Sequence, residues 1–329
     1  MRVTVLGAGS WGTTVASLCA TRVPTLLWAR DPAIAPEINE THMNPAYMSG
    51  IPLPNELRAT SDIEEAATGC DLTIVGVPSK GFRDVLVKAR PHLAPSIPIV
   101  SLSKGLEEGT LLRMTEIIRE ELAGHPAAAL TGPNIATEIM AGQAAAAVLA
   151  SEDRAAAAEI QQVLGHHLFR VYLNDDVIGC EISGALKNVI AIATGIGEGL
   201  GVGDNTRAMV MCRGLAEITR LGVAMGAMPA TFAGLAGIGD LIATCTSPHS
   251  RNRQVGYQLG LGRTLADVLA EMRMVAEGVK TAAIILDLAD SHGVQMPICR
   301  EIHRVVTGEE TVGAAYRGLT PAGHEADPG

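Results

Sequence analysis

The sequence predicts an α/β domain with a mostly parallel sheet, followed by an all-helical domain. Three observations carry this expectation. Short β-type runs alternate with helical patterns through the first half of the chain, as strand–helix–strand units require. After about residue 174 the apolar periodicity is helical almost throughout. The 329-residue chain is also long enough for two cores. The boundaries that follow are 1–174 for the sheet domain and 175–316 for the helical one. Residues 317–329, with no periodic apolar face, read as a flexible tail.

The strand candidates are 2–6, 25–29, 71–77, 97–102, 127–131, 144–150 and 168–173. Asp175 or Asp176 is expected to cap a long helix running through Lys187. Further helices are expected over 206–227, 264–272, 278–293 and 298–306. The uncharged run Leu221–Gly239 has membrane-spanning length. It contains Pro229 and five glycines, so two packed helices joined by a turn are expected there.

Composition bounds the function. Hydrophobic residues make up 47% and charged residues 18%, values of a soluble globular protein. A net charge of −10 argues against a nucleic-acid or anionic-membrane partner, so an anionic ligand must meet a local cluster of cations. Residues 2–6 already read as a strand, and no cleaved targeting segment or membrane insertion is expected. Cys19, Cys70, Cys180, Cys212, Cys245 and Cys299 are scattered without a CxxC pair. They read as free thiols in a reducing cytoplasm, with neither metal nor disulfide framework.

The motif "VTVLGAGSWGTTVA" sets Gly7, Gly9 and Gly12 between the first strand and a helix. Such glycines permit a tight turn and let a pyrophosphate approach the helix N-terminus, which identifies a Rossmann-like dinucleotide-binding unit. The second strand ends in "LLWARD", offering Arg30 for an NADP 2′-phosphate and Asp31 for an NAD ribose. Arg30 comes first, which favours NADP over NAD. Lys104 in "SLSKGLE" and the turn "LTGPNIATEI", with Gly132 and Asn134, follow later strands, whose carboxyl ends border the ligand crevice in open α/β sheets.

In the helical half, Lys187 and Asn188 interrupt the apolar stretch "GALKNVIAIATGI". A Gly-rich loop leads to Asp204 and Asn205, and a second such segment carries Asp240 and then Ser250, Arg251, Asn252 and Arg253. A hydroxyl, a guanidinium and an amide in succession suit a phosphate, which arginine binds bidentately.

Together these motifs resemble the bacterial NAD(P)-dependent glycerol-3-phosphate dehydrogenases. The resemblance is collinear from Val3 to about Thr281 and rests on GAGSWG, "INETHMNPAYMSG", SLSKGLE, "GALKNVIAIATGIGEGLGVGDNTRA", "GLAGIGDL", "TC", "SRN" and the "EG" at 277–278. It implies reversible hydride transfer between NAD(P)H and dihydroxyacetone phosphate, giving sn-glycerol 3-phosphate for phospholipid synthesis. It further implies that Ser10, Trp11, Arg30 and Tyr47 contact the cofactor and that Lys104 touches both ligands. Gly132 would line the substrate and Ala136 the cofactor. Lys187 would be the catalytic lysine, with Asp240, Ser250, Arg251 and Asn252 on the substrate. Arg251, Val275 and Glu277 would also approach the cofactor. The chain departs from the family at residue 134, Asn in place of Ser or Thr, and in "AYMSG" for the commoner YLPG ending. A homodimer is the expected assembly.

Reducing a ketone puts negative charge on its oxygen, which calls for a proton donor. Lys187 meets that need if burial loosens its proton, while Asp240 acts in the opposite sense and holds the ammonium aimed. A solvent-reaching helix lysine is the plainer alternative, but Lys187 has small neighbours and no charged residue four positions away. A β-hydroxyacid dehydrogenase would be expected to carry asparagine at position 191, which is alanine here. A non-catalytic NAD(P)H sensor would be expected to have lost Lys104, Lys187 or Asp240, and all three are present.

Overall fold

The structure, a computed structural model, describes residues 1–272 and 277–318. It divides into two compact units. The first comprises Met1–Glu107 and Leu112–Val177, and the second comprises Glu108–Leu111 with the chain from Ile178 onward.

The first unit is built on an eight-stranded sheet. Its strands are β1 (Val3–Leu6), β2 (Thr25–Trp28), β3 (Arg58–Thr60), β4 (Leu72–Val75), β5 (Ile99–Ser101), β6 (Ala127–Thr131), β7 (Ala145–Ser151) and β8 (Phe169–Asn174). They lie in the order β3-β2-β1-β4-β5-β6-β7-β8. All pairs are parallel except β6–β7, which sets β7 and β8 against the other strands. The central strands β1 and β4 are buried along their whole length, and alternate side chains enter cores on opposite faces. Val3, Val5 and Leu27 join one core, and Leu6, Leu26 and Trp28 the other. The chain order reverses between β1 and β4, so Gly7 and Gly76 mark the switch point where open α/β sheets hold ligands.

The second unit is helical, and its centre is the helix Val177–Gly199. This helix is long and apolar enough to cross a membrane, yet 94% of its most apolar window is buried inside the protein. Every residue from Glu181 to Gly197 is buried, which is why the sequence shows no polar face there. It packs closely on the helix Arg251–Gly260 through glycines: a Cβ on Gly195 would strike the Arg253 carbonyl oxygen, and one on Gly256 that of Ile192. Backbone contact at that distance excludes any larger residue.

Several expectations needed correction. The three-residue strand β3 was not expected, because Arg58–Thr60 is too short to show alternation. The run 221–239 does hold two packed helices, the end of Asp204–Ala224 and the single-turn Pro229–Phe232, whose Phe232 ring lies where a Cβ on Gly222 would stand. Gly226, two residues past Ala224 and with a φ of 98°, closes the first of them in a left-handed turn. A wide turn over Leu235–Gly239 then closes with Gly239 donating to the Gly234 carbonyl, and leads into the helix Asp240–Thr246. That helix and Arg251–Gly260 carry too many polar and glycine residues to show helical periodicity. Val275 and the tail from residue 319 lie outside the described residues.

Candidate active site

Each glycine of the first motif does a different job. Gly7 has a φ of 123°, and a Cβ there would lie 2.8 Å from the Gly76 carbonyl. A Cβ on Gly12 would collide with the Gly7 carbonyl oxygen, so Gly12 lets the helix Ser10–Ala20 lie against the loop. Around Gly9 nothing comes within 4 Å of a Cβ position, leaving the backbone open at the helix start. Gly9 caps that helix without a side chain, so no side-chain oxygen occupies the positive end of its dipole. These residues fit a dinucleotide pyrophosphate.

Around this loop, Ser10 Oγ donates to the Tyr47 carbonyl oxygen at 3.0 Å. Trp11 packs edge-on against Phe169 with centroids 6.1 Å apart, and its buried Nε1 has no hydrogen-bond partner. Arg30 and Tyr47 are exposed. Asp31 is drawn into the chain's own turn, where Oδ1 accepts from Ala33 N at 3.0 Å. Farther along the sheet, Lys104 Nζ donates to the Gly132 carbonyl oxygen at 2.9 Å. Gly132 adopts a φ of 123°, and just beyond it both amide atoms of Asn134 are buried with no protein partner. The buried Thr131 hydroxyl is in the same condition. Ala136 begins the short helix Ala136–Met140.

In the helical unit, Lys187 does not reach into solvent. Its side chain is 8% exposed, and Nζ donates to Asp240 Oδ1 and, at 2.6 Å, to Thr244 Oγ1. Thr244, one turn after Asp240, donates in turn to the Asp240 carbonyl oxygen at 2.7 Å. Nothing in the sequence alone gives Thr244 a role. An unrecognised helix hid the four-residue spacing that stacks it over Asp240. Burial pushes the neighbouring Cys245 thiol up to about 11, so it stays neutral at neutral pH.

The "SRN" residues divide their tasks. Ser250 caps the helix Arg251–Gly260, its Oγ accepting from Arg253 N at 3.3 Å. Asn252 is buried, and its Oδ1 accepts from Gly278 N at 3.0 Å. Arg253 is paired with Glu198 of the central helix. Arg251 is exposed in the first turn of the helix. Glu277 begins the helix Glu277–Ser291.

Family models match both parts of the chain. Residues 2–157 match the N-terminus of NAD-dependent glycerol-3-phosphate dehydrogenase, and residues 176–317 its C-terminus. The chain belongs to the NAD-dependent glycerol-3-phosphate dehydrogenase family. It is 55% identical over 331 residues to a glycerol-3-phosphate dehydrogenase (NAD(P)+) of Sphingopyxis alaskensis, covering 100% of this chain and 99% of that one. A Mycobacterium tuberculosis protein of the same description is 54% identical, with 98% and 96% covered. Among solved structures, the glycerol-3-phosphate dehydrogenase of Coxiella burnetii superposes with a TM-score of 0.93 at 35% identity, covering 97% of this chain and 98% of that one.

Family membership decides what the fold cannot. Ketopantoate reductase and D-mandelate dehydrogenase structures also superpose, but at TM-scores of 0.59 and 0.62 with 17% and 15% identity. The shared architecture is therefore common to several dehydrogenases.

Proposed function

We propose that this protein catalyses the reversible NAD(P)H-dependent reduction of dihydroxyacetone phosphate to sn-glycerol 3-phosphate, supplying glycerophospholipid synthesis. We further propose that it works in the cytoplasm as a homodimer, with residues 1–174 binding the dinucleotide and 175–316 carrying substrate binding and catalysis. The observation that carries this reading is the buried Lys187–Asp240–Thr244 cluster, in a chain that matches the dehydrogenase family over both halves.

A bound nicotinamide supplies the hydride. The protein's task is to stabilise the charge that develops on the ketone oxygen and to deliver a proton there. Lys187 is the donor in this direction and the acceptor in reverse. Asp240 and Thr244 hold its Nζ in one geometry, so little reorganisation is needed at the moment of transfer. Arg251 is the cation that meets the phosphate, helped by Ser250, by Asn252 and by the N-terminal turn on which all three sit. Holding this remote dianion orients the carbonyl. Lys104, Gly132 and Asn134 act on the substrate as well, Asn134 through its unpartnered amide.

For the cofactor, Gly7, Gly9 and Gly12 receive the pyrophosphate, with Ser10, Trp11, Tyr47, Lys104, Ala136, Arg251, Val275 and Glu277 as contacts. Arg30 serves the 2′-phosphate, which favours NADPH; the commitment of Asp31 to its own turn supports this choice. The deciding assay is NAD(P)H oxidation with dihydroxyacetone phosphate, with 2-oxo acids and with no ketone. Oxidation is expected with the first alone, and turnover of a 2-oxo acid instead would overturn the proposal.

A further inference from the structure

The glycine loop is not held in shape by its own motif alone. Asn44, in the segment Met43–Gly50 that follows the helix Ile34–Thr41, is fully buried against it. Its Nδ2 donates to the Ala8 carbonyl oxygen and to Thr13 Oγ1, both at 2.9 Å. The Ala8 carbonyl only accepts, so the amide cannot be turned over without setting oxygen against oxygen. Thr13 Oγ1 donates to that same carbonyl at 3.2 Å, closing a three-membered network. Asn44 also fixes its own segment: its carbonyl oxygen accepts from Met48 N at 2.8 Å, and the Met48 side chain is buried. Tyr47 then lies where its carbonyl oxygen accepts from Ser10 Oγ.

Ala8 and Ser10 flank Gly9, the one loop position with open space before it. Both are tied to a segment more than thirty residues away in sequence. We infer that Asn44 is a positioning residue for the dinucleotide: it holds the peptide around Gly9 in the shape that receives the pyrophosphate. The side chain suits this role by its chemistry. Two amide hydrogens on one short planar arm are needed; aspartate has none, serine has one, and glutamine is a methylene too long. The inference rests on the proposed cofactor binding but addresses the end of the dinucleotide that NADPH and NADH share.

The test is a fluorescence titration of NADPH and NADH against the full chain and the variants Asn44→Ala, Thr13→Val and the double variant. Asn44→Ala is expected to weaken both cofactors alike, by about 10-fold, because the cofactor must then order the peptide around Gly9 itself. In steady state its cofactor KM should rise by more than its kcat falls. Thr13→Val should weaken both cofactors in the same direction by less, and the double variant should fall short of the product of the two because they act on one network. Should Asn44→Ala fail to fold, the Thr13→Val titration decides alone. Unchanged affinity for both cofactors in the variants, whatever their melting temperature, would overturn the inference. Failure of the parent chain to bind either cofactor would instead remove the proposed function beneath it.

Discussion

The Lys187 ammonium donates to the Asp240 carboxylate from the buried middle of the helix Val177–Gly199, and the two side chains are 8% and 2% exposed. A pair so far withdrawn from water is a poor way to gain stability, because desolving two charges offsets their attraction. Its persistence is explained by chemistry. Lys187→Ala is expected to keep NADPH binding and to lose kcat by about 10²–10⁴-fold, the range for a positioned proton donor. Asp240→Leu should also destabilise the fold by about 3–5 kcal/mol, since the ammonium is left buried without its partner. Thr244→Val, nearly isosteric, should lower kcat with a smaller change in melting temperature, and Thr244→Ser should restore it. Near-normal kcat in Lys187→Ala would remove the catalytic assignment.

Asn134 is expected to trade stability for binding. Both of its amide atoms are buried without protein partners, a state that costs about 1–3 kcal/mol in the ligand-free protein. Asn134→Leu removes that cost, so thermal melts of the apo protein should rise while the KM for dihydroxyacetone phosphate increases. Asn134→Thr returns a donor and acceptor and should keep KM near the parent value. A rise in melting temperature with unchanged KM in the leucine variant would dissociate Asn134 from the substrate.

Cofactor choice should turn on Arg30. The side chain is exposed at the end of β2, and the adjacent Asp31 carboxylate is engaged by Ala33 N. Arg30→Ala is expected to weaken NADPH by about 10-fold or more, the scale of a charge-assisted contact to phosphate, and to leave NADH nearly unaffected. Paired Kd measurements check this, and equal loss for both cofactors would assign Arg30 a general role instead.

How far the sequence revealed these sites follows from where each signal lives. The glycine loop was legible because turn, open backbone and helix start fall within six consecutive positions, Gly7 to Gly12. Seven of the eight strands showed as apolar runs, whereas β3, with three residues, carried no pattern. Lys187 stood out because its helix is apolar on every side, a consequence of full burial. Thr244 and Asn44 lie within the TC and INETHMNPAYMSG motifs but carry no role there. Each acts through a hydrogen bond to a residue distant in sequence, at 57 and 36 positions respectively, and only folding brings the partners together. The same holds for the glycines that join the central helix to Arg251–Gly260: Gly195 and Gly256 look like flexible points in sequence and prove to be points of closest packing.

Glu217, 1% exposed on the helix Asp204–Ala224, accepts from Ile298 N at 2.7 Å and Cys299 N at 3.3 Å at the start of the helix Pro297–Thr307. Burial raises its carboxyl from the ordinary 4.5 to about 7, outweighing the two backbone donors and the pull of Arg220 and Arg213. The folded protein therefore keeps this proton across a window in which the unfolded chain has released it. The stability it contributes is complete below the unfolded value and is lost as pH rises through about 7. The loss is on the order of 3 kcal/mol, at 1.36 kcal/mol per unit. Glu217→Gln keeps the volume and the acceptor for Ile298 N but has no proton to release. Melting temperatures of parent and variant between about pH 5 and 8 should diverge, the variant gaining on the parent as pH rises. Parallel curves would mean that Glu217 is ionised throughout and that the helix N-terminus, rather than burial, governs it.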